Sequence, residues 1–222
     1  MYNMIIFAKN KGVNMKIFIA DINSSFIAHV IQAKENQAFR HLDNFNAFHG
    51  CFSELGEPNA NVCMVGAGNS FGSLTGGVDL AIRKYFGKNI ERVLQQAIID
   101  KFLGELPVGS SLVIPTHNEE IKFLAYAPTM RTPKVIKGTD IPYVATWSAL
   151  TTIHRINQTL EKPIDTIVFP GMGTGTGEIE LNKAALQMVY AIDNYFKAID
   201  KPAEFINMKT GLQIELNLHG LL

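Results

Sequence analysis

The clearest chemistry in this sequence sits in two glycine-rich segments, each placed after a short apolar stretch. The later one reads Pro170-Gly171-Met172-Gly173-Thr174-Gly175-Thr176-Gly177, with a glycine at every second position. Glycine tolerates positive φ and lets the backbone approach a ligand closely. Consecutive amides in such a loop can converge on a phosphate, and the dipole of a following helix adds to the attraction. A mere turn would not need four glycines in seven residues, which are costly in backbone entropy. The spacing therefore predicts an anion or phosphate site along Gly171, Met172, Gly173, Thr174, Gly175, Thr176 and Gly177. The earlier segment reads Gly66-Ala67-Gly68-Asn69-Ser70-Phe71-Gly72-Ser73-Leu74-Thr75-Gly76-Gly77-Val78-Asp79.

Neither segment is a dinucleotide fingerprint. Gly171, Gly173 and Thr176 fail the G-x-G-x-x-G spacing, no match starts at Gly72, and no G-x-x-x-x-G-K-[ST] loop is present. An ordinary dehydrogenase and a nucleoside triphosphatase are therefore disfavoured. Other reactive side chains are scattered. Cys51 and Cys63 have no adjacent base and read as small core residues. His49 and Cys51 lack a second ligand pair at metal spacing, so no metal is expected. His117 follows an apolar strand and could face a cleft, or could be a solvated loop histidine. Arg131 could meet a ligand phosphate or stand exposed. Phe71 could cover a ribose or base, or anchor its own loop.

The elements that must hold these loops alternate. Lys16 to Ala20 reads as a buried strand; Asp21 to Ser24 then offer caps for a helix with an apolar stripe at Phe26, Val30 and Ile31. Residues 36–60 are polar and irregular, with a possible strand near Ala47 to Phe52. Val62 to Val65 reads as a buried parallel strand. A helix opens near Val78 with Ala81, Ile82 and Tyr85 on its stripe. Another carries Ile90, Val93, Leu94, Ala97 and Ile98, with Asn89 as its expected cap. Ser111 to Ile114 and Ile121 to Ala127 read as strands stopped by Pro115 and Pro128. Thr139 or Asp140 can cap a helix with Pro142 in its first turn. Thr166 to Phe169 is a further strand. Leu181 to Ile192 mark a helix, and Ile214 to Leu218 a last strand. Such alternation predicts an α/β fold with a mostly parallel sheet and helices on both faces. Ligands of such sheets sit beyond the carboxyl ends of the strands, where both glycine loops fall.

Composition agrees with one folded domain. The 222 residues are 47% hydrophobic and 18% charged, with 20 basic and 20 acidic side chains. Zero net charge argues against nonspecific nucleic-acid binding, which needs a basic excess. Two cysteines are too few for a disulfide framework and suit a reducing, cytoplasmic setting. No apolar run reaches membrane-spanning length, and Met4 to Ala8 is too short for a secretory signal core. Met15 opens the first clean strand, so residues 1–14 read as an extension or a choice of start site. Residues 15–222 read as a single domain, with a strand-helix elaboration over 15–60.

The first loop is similar to the macrodomain pattern: an apolar strand, a small-residue segment ending in Asn-Ser, then Gly-Gly-Val-Asp opening a helix. The second loop matches that family's second glycine loop in kind and place. The resemblance covers roughly Val62 to Phe196, and more loosely the region from His49 to Phe52. It implies a three-layer α/β/α fold with a central mixed, mostly parallel sheet, and no cofactor. It also implies a ligand, ADP-ribose or a related nucleotide, held by Ala67, Gly68, Ser70, Phe71, Gly76, Gly77 and Val78 opposite Gly171 to Gly177. In hydrolases that resemble this chain, an asparagine and an aspartate ten positions later flank the distal ribose, and Asn69 and Asp79 reproduce that spacing. A carboxylate there could activate water or a ribose hydroxyl, and an asparagine amide both donates and accepts hydrogen bonds. Each also has a plain structural role: Asp79 meets a helix dipole, and Asn69 tolerates unusual turn geometry.

The chain departs from the family at three places. Gly66-Ala67-Gly68-Asn69 stands where Asn-Ala-Ala-Asn is common. Gly50-Cys51-Phe52 stands where Gly-Asp-Ile places an aspartate against the adenine amino group, and cysteine is a poor acceptor; Asp21 could substitute for it. The second loop has Thr176 or Gly177 where relatives carry an aromatic. Three functions stay open: an ADP-ribosyl hydrolase acting on a modified substrate, a binding module for ADP-ribose or a related nucleotide, and an interaction protein that kept only the fold. Oligomeric state is left open.

Overall fold

The computed structural model describes residues 15–36, 38–202 and 204–205. Six strands form one sheet in the order β2-β1-β6-β3-β5-β4. They are β1 (Lys16–Asp21), β2 (Phe45–His49), β3 (Val62–Gly66), β4 (Leu112–Pro115), β5 (Phe123–Tyr126) and β6 (Thr166–Phe169). The helices are α1 (Ser24–Lys34), α2 (Gly77–Phe86), α3 (Asn89–Phe102), α4 (Ile141–Asn157) and α5 (Leu181–Asp200). All neighbouring strands pair in parallel except β4, which runs antiparallel to β5. The expected last strand and the residues before Met15 lie outside the described residues.

Strand alternation divides the core between two faces. Ile17, Ile19, Cys63, Val65, Ile167 and Phe169 point into one apolar layer, shared with α1, α4 and α5. Ala20, Val62, Met64, Leu124, Tyr126 and Val168 point into the other, with α2 and α3. The result is a three-layer α/β/α arrangement around a mixed, mostly parallel sheet. Among the described residues no helix is long and apolar enough to cross a membrane.

Local expectations meet several adjustments. Asn23 caps α1 through its side chain, which accepts from the Phe26 amide at 3.1 Å. Ile31 lies on the exposed side of α1, and Ile27 takes the buried position. The cap of α3 is Lys88 rather than Asn89, which is already helical. Asp140 precedes α4 without a side-chain cap, while Thr139 donates to the Ile136 carbonyl. The strand expected from Ala47 to Phe52 is β2, ending at His49, and Phe52–Leu55 winds into a 3-10 turn. The Glu54 carboxylate fixes that turn by accepting from the Cys51 amide.

Within residues 15–60, β1 and β2 are strands of the sheet. β1 lies inside it, between β2 and β6. The connection before β2 is tied to α5, because the buried Asp193 carboxylate accepts the Arg40 and His41 amides at 3.1 and 3.0 Å. The described residues of that connection do not line the cleft described next.

Candidate functional site

Parallel pairing brings the carboxyl ends of β1, β2, β3, β5 and β6 to one edge of the sheet. The chain leaves that edge in loops, and a cleft of about 520 Å³ opens between them. This is within the usual size of a small-molecule site. Both glycine loops line it. From the first come Ala67, Gly68, Asn69, Gly76, Gly77, Val78 and Asp79, and from the second Gly171, Gly173, Thr174, Gly175, Thr176 and Gly177. Asp21, Gly50, Cys51 and Phe52 form one end, and Thr129, Met130 and Pro133 the side beyond β5.

Three residues expected at the ligand, Ser70, Phe71 and Met172, do not line this cleft. Met172 is fully buried in the apolar layer under α5, where its amide points to the Met188 sulfur at 3.4 Å. Alternation along the loop sends it inward while its glycine neighbours face out. Ser70 is buried behind the loop; its amide donates to the Met130 and Arg131 carbonyls and its carbonyl accepts from Leu106. Phe71 lies at the surface with the Arg131 guanidinium 5.2 Å above its ring. Arg131 is committed there as well, in a two-pronged ion pair with Glu105 at 2.8 and 2.9 Å. It does not line the cleft. His117 is exposed in the turn between β4 and β5. Because β4 runs antiparallel, its carboxyl end lies at the edge opposite the cleft.

The first loop is held by its own side chains. Asn69 accepts the Phe71 amide at 3.0 Å and donates to the Ser73 carbonyl at 3.0 Å. Beyond β5 the chain runs alongside this loop: the Ala127 and Thr129 amides donate to the Gly66 and Gly68 carbonyls. Asp79, in the first turn of α2, is 6% exposed. Burial pushes its carboxyl up to about 7, opposed by a hydrogen bond from the Tyr126 hydroxyl and assisted by the negative charge of Glu91. The same hydroxyl accepts the Asn69 amide at 3.0 Å. The other Asp79 oxygen, Oδ1, has no hydrogen-bond partner among the described residues. Burial, followed by the neighbouring Asp79 charge, raises the Tyr126 phenol well above its ordinary range, so it stays a donor.

The second loop is held from outside. Asp21 at the end of β1 accepts the Gly171 amide at 3.1 Å through Oδ2 and the Asn23 amide at 2.8 Å through Oδ1. Both of its oxygens are thus engaged, so its carboxylate anchors the loop while also lining the cleft. At the other end, the Ile136 amide donates to the Gly177 carbonyl, and Ile179 to Gly173. Among the described residues, the amides of 173–177 find no acceptor in the protein. They remain as donors beside the cleft.

Sequence reasoning did not single out Tyr126. Its signal was indirect: the register places Gly66 beside it on β3, and a glycine inside a strand often marks a close approach. Cys63 is fully buried, and burial pushes its thiol up to about 12, which leaves it without nucleophilic character. Cys51 lines the cleft and accepts from the Ser53 hydroxyl at 3.1 Å.

Comparison with known proteins fits this architecture. The family model described as Macro domain matches residues 65–188. An uncharacterized protein of Aquifex aeolicus (strain VF5) is 30% identical over 139 residues, covering 63% of this chain and 76% of that one. A mutant of the Oceanobacillus iheyensis macrodomain with ADPR superposes with a TM-score of 0.53 at 20% identity, over 65% of this chain and 74% of that one. The same macrodomain with ADP gives 0.52 at 21% identity, over 64% and 72%. The family match spans both glycine loops, α2 and the strands between them, and on that basis this chain belongs to the macrodomain family.

Proposed function

We propose that the cleft binds ADP-ribose or a closely related nucleotide and that the chain hydrolyses ADP-ribosyl linkages, with Asp79 as the base. The observation that carries this reading is Asp79 itself. It is a buried carboxylate on the cleft wall, raised to about 7, with one oxygen left unpartnered. A base poised near the working pH transfers protons most effectively. The free amides of 173–177 and the amino end of α2 supply donors for a diphosphate. The O. iheyensis macrodomains solved with ADPR and ADP support a nucleotide of this kind.

In the proposed step, Asp79 takes a proton from water while the water oxygen bonds to the anomeric carbon of the distal ribose. The bond from that carbon to the modified group breaks, and the proton taken up by Asp79 passes through solvent to the departing atom, restoring the carboxylate. Asn69 holds its loop in shape, since its side-chain oxygen and nitrogen are both engaged there. That engagement favours a second reading, a module that binds ADP-ribose without turning it over, because Asn69 then has less capacity to orient a ribose.

Thermal stability separates these readings from a fold without a ligand. Binding to the native state raises stability by RT ln(1 + [L]/Kd). ADP-ribose should give a dose-dependent shift larger than AMP, ADP, NAD or ribose phosphate; no shift with any of them would reject a nucleotide site. Turnover of an ADP-ribosylated substrate should then fall at least about a hundredfold in Asp79→Ala. In the intact protein it should decline as pH drops below about 7, where Asp79 becomes protonated. Equal turnover by the variant would reject Asp79 as the base.

A further inference from the structure

Tyr126 ends β5 beneath the cleft, completely buried, with its hydroxyl between the two residues on which the proposed chemistry depends. It accepts the Asn69 amide at 3.0 Å and donates to the Asp79 carboxylate. Room for it is made by two glycines. A Cβ at Gly66 would lie 2.7 Å from the Tyr126 ring, and one at Gly68 would lie 2.1 Å from the Tyr126 hydroxyl and 1.9 Å from Asp79 Oδ2. These are the two positions where Gly66-Ala67-Gly68-Asn69 departs from Asn-Ala-Ala-Asn. Small residues on β3 and its loop are thus the steric complement of Tyr126 and Asp79 in this chain.

We infer that Tyr126 is a positioning residue: its hydroxyl locks Asp79 and the start of the Asn69 loop into one hydrogen-bonded unit on the cleft wall, with the buried Oδ1 of Asp79 left unpartnered among the described residues. The importance of this unit for turnover rests on Asp79 being the base proposed above. The unit itself stands whether or not the chain turns a substrate over. Tyr126 also sets when Asp79 ionises. Burial raises the carboxyl, the tyrosine bond lowers it, and Glu91 of α3 raises it. Glu91 is itself held by the Leu74 amide and by Arg83 of α2. Asp21 of β1 also lines the cleft, held by the Asn23 and Gly171 amides. A Phe at 126 keeps the ring and removes the hydroxyl, both as donor to Asp79 and as acceptor of the Asn69 amide.

The test is a carbon NMR titration of the Asp79 carboxyl and of the Tyr126 Cζ, in the protein and in Tyr126→Phe. In the unmodified protein both resonances should move together with a midpoint of about 7. This needs no variant, and a Tyr126 signal indifferent to that titration overturns the proposal. In Tyr126→Phe the Asp79 midpoint should rise by about one pH unit. The acidic limb of kcat/KM should follow, lowering it about fivefold at pH 7 through the smaller ionised fraction. Affinity for ADP-ribose should change far less. An unmoved midpoint overturns the proposal even if activity falls. If the midpoint moves while the unmodified protein shows no turnover, Tyr126 keeps its positioning role and the hydrolase reading fails alone.

Discussion

The two glycine loops face one cleft and look alike in composition, yet they offer it different groups: a carboxylate from the first, backbone amides from the second. In the first, Gly66 and Gly68 make space inside the protein, so that Tyr126 and Asp79 can meet where a methyl group would collide with them. Asn69 is engaged on both its side-chain amide atoms, and among the buried side-chain atoms of this loop only Asp79 Oδ1 and the Ser70 hydroxyl lack partners among the described residues. In the second loop Gly171 and Gly177 are also close-packed, a Cβ at each meeting atoms at 2.8 and 2.6 Å, whereas one on Gly175 at the tip would meet nothing within 4 Å. Its glycines leave backbone amides bare while Asp21 and Ile136 hold the ends. One loop positions a carboxylate, and the other presents donors. The first therefore stores unfavourable burial at a functional group, whereas the second leaves its polar atoms for a ligand.

Three substitutions sharpen or break this contrast, ranked by their effect on unfolding free energy. The largest is Asp79→Asn. Because folding raises the Asp79 carboxyl from 3.8 to about 7, its contribution is favourable below the unfolded value and is lost as pH rises through 7. At pH 8 the neutral variant should gain about 4 kcal/mol relative to the unmodified protein, and the gain should vanish near pH 4. Denaturant melts of both proteins at the two pH values measure this. A difference independent of pH would mean that Asp79 is not held under strain by burial.

Gly68→Ala comes next. Overpacking typically costs about 1–3 kcal/mol, and here the methyl group strikes Asp79 Oδ2 and the Tyr126 hydroxyl. Turnover should fall together with stability, and a neutral result in both would remove the steric reason for this glycine. Gly175→Glu should be the smallest, within about 0.5 kcal/mol, because its side chain enters open space. It should instead weaken ADP-ribose affinity by about tenfold or more through charge repulsion, measured by calorimetry. Unchanged affinity would show that the second loop does not hold the diphosphate.

Much of the layout was legible before any coordinates. Hydrophobic periodicity located the strands and helices because burial on one face of the chain imposes a period that sequence displays directly. The alternating glycines at 171–177 announced a loop with exposed amides, and the Gly-Gly-Val-Asp turn placed Asp79 at a helix start. Local rules did less well where neighbours in space decide. Met172 shares a segment with ligand-facing glycines yet turns into the core. Phe71 and Arg131 satisfy each other and Glu105 at the surface. Of the two readings of His117, the exposed loop position is the one found: it is carried to the far edge because β4 reverses direction, which no feature of residues 111–117 states.

The sequence by itself determined which segments form elements, that two glycine loops follow two strands, and that an asparagine and an aspartate stand ten residues apart within the first of them. Each of these depends on residues close along the chain. Tertiary structure alone decided that β1 sits beside β6, so that Asp21 anchors a loop 150 residues away. It alone set Tyr126 under Gly68 and left one oxygen of Asp79 unpaired. Such facts depend on distances between segments remote in sequence, and burial and charge, which set a carboxyl's behaviour, exist only once those segments have packed.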